Sequence, residues 1–165
     1  MDKPIKILFV CVENAARSQM AEAFAKQLGV DAMSAGTLPA KEVNPTVVEV
    51  MREVGIDISG NKPKLLTMDM IKWADVVVTM GCSIEEVCPA PMLRAMKVKL
   101  IEWNIPDPKG KPIGEVRRIR DMVRSKVEEL INSIKNGELT LNSSKENVIK
   151  INLSSNYGNE LSDAD

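Results

Sequence analysis

Ile5-Lys6-Ile7-Leu8-Phe9-Val10 runs directly into Cys11-Val12-Glu13-Asn14-Ala15-Ala16-Arg17-Ser18, and the reading of this stretch decides the fold. Five of the first six residues are apolar and the run is partly β-branched, the pattern of a short buried strand. From Arg17 onward the spacing changes. Met20, Ala21, Phe24, Ala25 and Leu28 recur three and four residues apart, and Gly29 supplies a stop. The stretch therefore reads as strand, tight loop, helix, with a cysteine at the head of the loop.

Further along, the same alternation repeats. A short strand is expected around Ala32–Ser34, and Asn44-Pro45 reads as an N-cap followed by a first helical residue. Val47, Val48, Met51 and Val54 form that helix's apolar stripe before Gly55, and Thr67 caps a shorter helix through Trp73. Ala74–Met80 is the clearest buried strand, followed by Gly81-Cys82 and a short helix-compatible stretch, Ser83–Val87, which Cys88, Pro89 and Pro91 terminate. Val98–Trp103 reads as a strand, and a long helix is expected from about Ile113 to Ile134. Strands alternating with helices predict an α/β three-layer sandwich around a small, four-stranded, mainly parallel sheet. In such sheets functional groups gather beyond the carboxyl ends of the strands. Cys11, Cys82 and Asp107 each follow a different expected strand.

Residues 1–136 form one domain in this reading, and 137–165 a polar, flexible tail rich in Asn, Ser, Glu and Asp. The island Val148–Leu153 leaves open an extra strand at a sheet edge. The formal net charge of −1 argues against a nucleic-acid partner. No apolar run approaches the roughly 20 residues of a membrane span, and Met1-Asp2-Lys3 is unlike a signal peptide. A cytoplasmic protein without a membrane partner is expected. Three cysteines make a structural disulfide framework improbable, and the absence of histidine excludes Cys-His and Ser-His pairs. A nucleophilic cysteine here must be activated by something other than imidazole.

The loop itself can do that. A tight turn entering a helix directs backbone N–H groups and positive potential to one spot, which favours both a bound oxyanion and a thiolate. Val12, Glu13, Asn14, Ala15, Ala16 and Arg17 are the candidate oxyanion loop. Arg17 offers a planar fork for two oxygens, and Ser18 a hydroxyl for the sulfur. Asp107, past a strand end, is a further candidate for a part in catalysis.

The loop, Gln19-Met20-Ala21-Glu22 after it, and Ser34-Ala35-Gly36-Thr37 resemble the low-molecular-weight tyrosine phosphatase superfamily. Asn44-Pro45, Gly55-Ile56-Asp57-Ile58-Ser59, the Cys82/Cys88 pair and Asp107-Pro108 are similar to its thioredoxin-coupled arsenate reductases, over roughly residues 4–135. Two departures stand out. The family usually has Gly where this chain has Glu13, and often Ser and Cys at Ala15 and Ala16. The Cys82–Cys88 spacing is also one residue shorter than usual. A carboxylate pointing into an anion site would repel substrate, so Glu13 is expected to point outward.

On a continuous helix Cys82 and Cys88 would lie roughly 9 Å apart, whereas a disulfide needs Cα atoms within about 7 Å. They could bridge only if the segment between them unwinds. The resemblance implies the order of events: Cys11 attacks arsenate while Asp107 protonates the departing oxygen, Cys82 resolves the adduct, and Cys88 then resolves the Cys11–Cys82 disulfide. A thioredoxin-like reductant restores the thiols. No metal or cofactor is required; a three-cysteine metal site would consume the nucleophile and lacks an obvious fourth ligand. Two other readings remain open: a phosphatase using Cys11, Arg17 and Asp107 alone, and a non-catalytic metalloid or redox sensor built on the three thiols.

Overall fold

The computed structural model describes residues 5–81 and 99–137, with the backbone of 150–151. Cys82, Cys88, the Ser83–Val87 stretch and most of the tail lie outside the described residues.

β1 (Lys6–Cys11) occupies the middle of the sheet because its residues are apolar on both faces; Ile7 through Cys11 are all buried. Its period-two alternation divides the core. Ile7, Phe9 and Cys11 face a large cluster with α1 (Arg17–Gln27), α2 (Pro45–Glu53) and α4 (Ile113–Lys135). Leu8 and Val10 face a smaller cluster with Leu66 and with Ile71 of α3 (Met68–Trp73). The result is the expected three-layer arrangement.

β2 (Asp31–Gly36), β3 (Val76–Met80) and β4 (Lys99–Trp103) complete a parallel four-stranded sheet in the order β2-β1-β3-β4. A two-residue strand, β5 (Lys150–Ile151), pairs in parallel with Leu100 and Ile101 at the outer edge. It falls within the Val148–Leu153 island, whose strand-like pattern allows an edge strand. β2 is longer than its apolar pattern suggests, since Ala35 and Gly36 continue the ladder opposite Val10 and Cys11. β3 starts later than Ala74: the preceding Asp75 takes Lys6 N–H on its carboxylate at 3.1 Å and gives its own N–H to the Lys6 carbonyl.

The helix ends follow local chemistry. Asn44 Oδ1 accepts from Thr46 N at 2.8 Å with Pro45 at the first helical position, and Thr67 Oγ1 accepts from Met70 N. α1 differs: Ala16 stands at its N-cap and provides no side-chain acceptor. Beneath the sheet's carboxyl end, Phe9 and Trp103 pack with ring centroids 5.9 Å apart.

The chain leaves β1 toward β2 on one side and then returns to β3 on the other. Cys11 consequently sits at the topological switch point, where adjacent connections diverge and leave a crevice.

Candidate active site

The loop between β1 and α1 is held from one side by its carbonyls. Those of Cys11, Val12, Glu13 and Ala15 accept from the N–H groups of Thr37, Leu38, Ala40 and Asn44 at 2.7–3.2 Å. The N–H groups of Val12 through Gln19 have no protein acceptor among the described residues. Buried amides are normally satisfied, so a run of unsatisfied donors beginning beside a cysteine marks a place for an acceptor. Gly36 permits the arrangement: a Cβ there would lie 2.6 Å from Val12 O and 2.9 Å from Asn14 N.

Asn14 is the loop's keystone. Its φ of 53° lies in the left-handed region, which asparagine tolerates better than most residues. Its Oδ1 accepts from Lys64 N at 2.8 Å and Gln19 Nε2 at 3.1 Å. That fixes the amide, and Nδ2 donates to Ser18 Oγ at 2.7 Å and to Ser34 Oγ at 2.9 Å. Because the Ser18 oxygen is already accepting, its hydrogen is free for Cys11 Sγ, 2.9 Å away. Ser34 in turn donates to the buried carboxylate of Glu22, which Lys26 Nζ also meets at 2.6 Å.

Arg17, only 7% exposed, enters the site from the first position of α1. Nη1 donates to Ile105 O at 3.0 Å, and Nη2 lies 3.7 Å from Asp107 Oδ2. Nε is buried with no partner, so the guanidinium keeps an uncommitted donor. Gly81 makes room for it: a Cβ there would stand 2.8 Å from Nη1, and its φ of +79° also favours glycine. Asp107 is half exposed, and its Oδ1 accepts from Lys109 N at 3.0 Å.

Cys11, Arg17, Asp107, Glu13, Ala15 and Ala16 share one cleft of about 310 Å³, which Ala40, Glu42, Asn44, Pro45 and Lys109 complete. Ser18 and Asn14 lie buried behind the sulfur. Glu13 only partly follows the outward expectation. It is 37% exposed but lines the cleft, with Oε2 accepting from Lys109 Nζ at 3.0 Å. That hydrogen bond, then the carboxylate's charge, holds the Lys109 ammonium above the ordinary lysine value. Sequence reasoning did not single out Lys109, and it took Ser34 and Glu22 only as parts of the resembling motifs, with no role assigned. The only signal for Lys109 was its position two residues past Asp107, in a loop that follows a strand end.

Fold and loop together define a class: α/β proteins that carry a cysteine-headed loop and a helix N-terminus at the switch point of a parallel sheet. Residues 6–139 match the family model described as low molecular weight phosphotyrosine protein phosphatase, and the chain belongs to that family. A putative arsenate reductase of Halobacterium salinarum is 39% identical over 137 residues, covering 78% of this chain and 92% of the relative. Among solved structures, the YwlE arginine phosphatase of Geobacillus stearothermophilus superposes with a TM-score of 0.71 at 29% identity, covering 82% of this chain and 96% of the other. A thioredoxin-dependent arsenate reductase of Corynebacterium glutamicum superposes with a TM-score of 0.67 at 35% identity, covering 83% of this chain and 65% of the other.

Proposed function

We propose that the protein is an arsenate reductase that works by a thiol relay through Cys11, Cys82 and Cys88 and is regenerated by a thioredoxin-like reductant in the cytoplasm. The observation that carries the reading is the arrangement around Cys11: a hydroxyl placed to donate to its sulfur, unsatisfied loop amides, and a buried arginine with a spare donor. All three favour a thiolate and a bound tetrahedral oxyanion. The arsenate reductases among the relatives, one of them thioredoxin-dependent by its description, add support. So does Gly81, the residue before Cys82, which lies directly against Arg17.

In this reading the loop amides and Arg17 hold arsenate while the Cys11 thiolate attacks arsenic. Asp107 gives a proton to the departing oxygen, which leaves as water. The Cys82 thiolate then attacks the Cys11 sulfur. The As–S bond breaks, its electron pair stays on arsenic, and As(V) becomes As(III) as arsenite departs. Attack of Cys88 on Cys82 releases the Cys11 thiolate and leaves a Cys82–Cys88 disulfide, which the external dithiol reduces.

The described site contains what a phosphatase also requires, and the match to a phosphotyrosine phosphatase family keeps phosphate-ester hydrolysis as the second reading. One assay separates the two. With thioredoxin, its reductase and NADPH, arsenate-dependent NADPH oxidation is expected, with at least a hundredfold loss in Cys82→Ser and in Cys88→Ser. Undiminished turnover in both variants, alongside strong Cys11-dependent ester hydrolysis, would overturn the reductase reading. Stoichiometric binding without turnover in either assay would point to the sensor.

A further inference from the structure

The charges lining the cleft are adverse for a site that takes anions. Among the lining residues, the carboxylates of Glu13, Glu42 and Asp107 outnumber the cations of Arg17 and Lys109. Arg17 is positioned to serve the oxyanion and is already shared with Asp107 at 3.7 Å. Lys109 is therefore the remaining lining cation available to offset Glu13, which belongs to the loop itself.

The two residues are 96 positions apart, yet Lys109 Nζ donates to Glu13 Oε2 at 3.0 Å. Lys109 is anchored independently at its backbone, where its N–H caps Asp107 Oδ1 at 3.0 Å. The side chain thus spans the cleft mouth from the acid-bearing loop to the cysteine-headed loop. Side-chain exposures of 67% and 37% make such a pair nearly worthless for overall stability. Its effect is local: an uncompensated carboxylate at the mouth repels an approaching anion, and neutralising it removes that repulsion.

We propose that Lys109 sets the anion affinity of the oxyanion site by acting through Glu13, whose charge its side chain neutralises so that a loop bearing a carboxylate still accepts a small tetrahedral anion such as arsenate or phosphate. The inference rests on the oxyanion reading of the Cys11 loop given above. It deepens that reading by assigning work to two residues that the relay does not use.

Opposite signs in the single variants make the idea testable. Inorganic phosphate is the probe, titrated by calorimetry into the full-length, reduced protein at fixed ionic strength, with wild type, Lys109→Met, Glu13→Gln and the double variant in parallel. Lys109→Met keeps the backbone N–H on Asp107 and removes only the charge. It is expected to weaken phosphate binding by about tenfold, or about 1.4 kcal/mol. Glu13→Gln, which leaves the Lys109 charge unpaired, is expected to bind tighter than wild type. The double variant, which lacks both charges of the pair, is expected to return to the wild-type value, and a rescue of this kind cannot arise if Lys109 merely props the loop.

An equally weakened double variant would overturn the proposal, as would a Lys109→Met protein that binds like wild type. If wild type itself binds neither phosphate nor arsenate, the oxyanion reading fails first. Retained binding with no rescue rejects the Lys109 assignment alone.

Discussion

Asn14 shows how much of the site depends on single side chains. It holds a left-handed backbone and satisfies Lys64 N with one atom, and it orients Ser18 toward Cys11 with another. Asn14→Ala loses the local tolerance for positive φ and strands a backbone donor. The expected cost is about 2–3 kcal/mol of unfolding free energy. Urea denaturation measures it, and a loss below about 1 kcal/mol would mean that water replaces the amide at little cost. Cys11, Arg17 and Asp107 were legible in the sequence because each follows a strand end or opens a helix, and those positions are set by local pattern. The roles of Lys109, Glu22 and Ser34 were not. Their partners are distant in sequence, and an ion pair or hydroxyl contact between remote segments leaves no periodicity to read. The charge of Glu13 was legible as a problem, while its solution was not.

The same division holds for the secondary-structure elements. Apolar patterning located β1, α1, α2, β3, β4 and α4, because burial imposes the spacing that betrays it, and the Thr67 cap located α3. The end of β2 was missed, since Ala35 and Gly36 join the ladder through pairing with β1 rather than through their own side chains. What ties α2 to α4 was equally hidden. Glu53 near the end of α2 accepts from Arg117 Nε and Nη2 and from Arg120 Nη1, and buried Arg120 also reaches Val50 O at 2.9 Å. The Arg117 hydrogen bond, followed by that of Arg120 and the charges of both, holds the Glu53 carboxyl below the usual carboxylate value. A carboxylate depressed in the folded state contributes stability above its unfolded value, near about 4.3, and loses it as pH falls through the folded value. The difference in Tm between wild type and Glu53→Gln should therefore be widest near neutrality and close below about pH 4. A constant difference down to about pH 3 would exclude the clasp as its origin.

For the molecule as a whole, the site is a set of unsatisfied donors inside a cooperative fold. A ligand that binds only the folded state adds stability by mass action, about 2.7 kcal/mol at a hundred times its dissociation constant. Phosphate at that excess should raise Tm by roughly 5–10 °C for a domain of this size. Replacing Arg17 with Gln should remove most of the rise; if the shift survives intact, phosphate is binding elsewhere. Among the described residues no helix is long and apolar enough to cross a membrane. The sequence already implied the sheet's parallel character, because its buried strands alternate with helices. Strand order, and with it the switch point beneath Cys11, arises only from assembly.

The contact between Phe9 and Trp103 has a practical consequence. The chain contains two tryptophans, and Trp103 is buried at 2% exposure, on the same face of the sheet as Cys11. Its Nε1 has no hydrogen-bond partner among the described residues, so its emission should lie to the blue of the half-buried Trp73. Thiolates and disulfides both quench indole fluorescence. The chain thus carries its own optical probe beneath the carboxyl end of the sheet, and stopped-flow emission could follow single-turnover chemistry at Cys11 without a coupling enzyme or an added label.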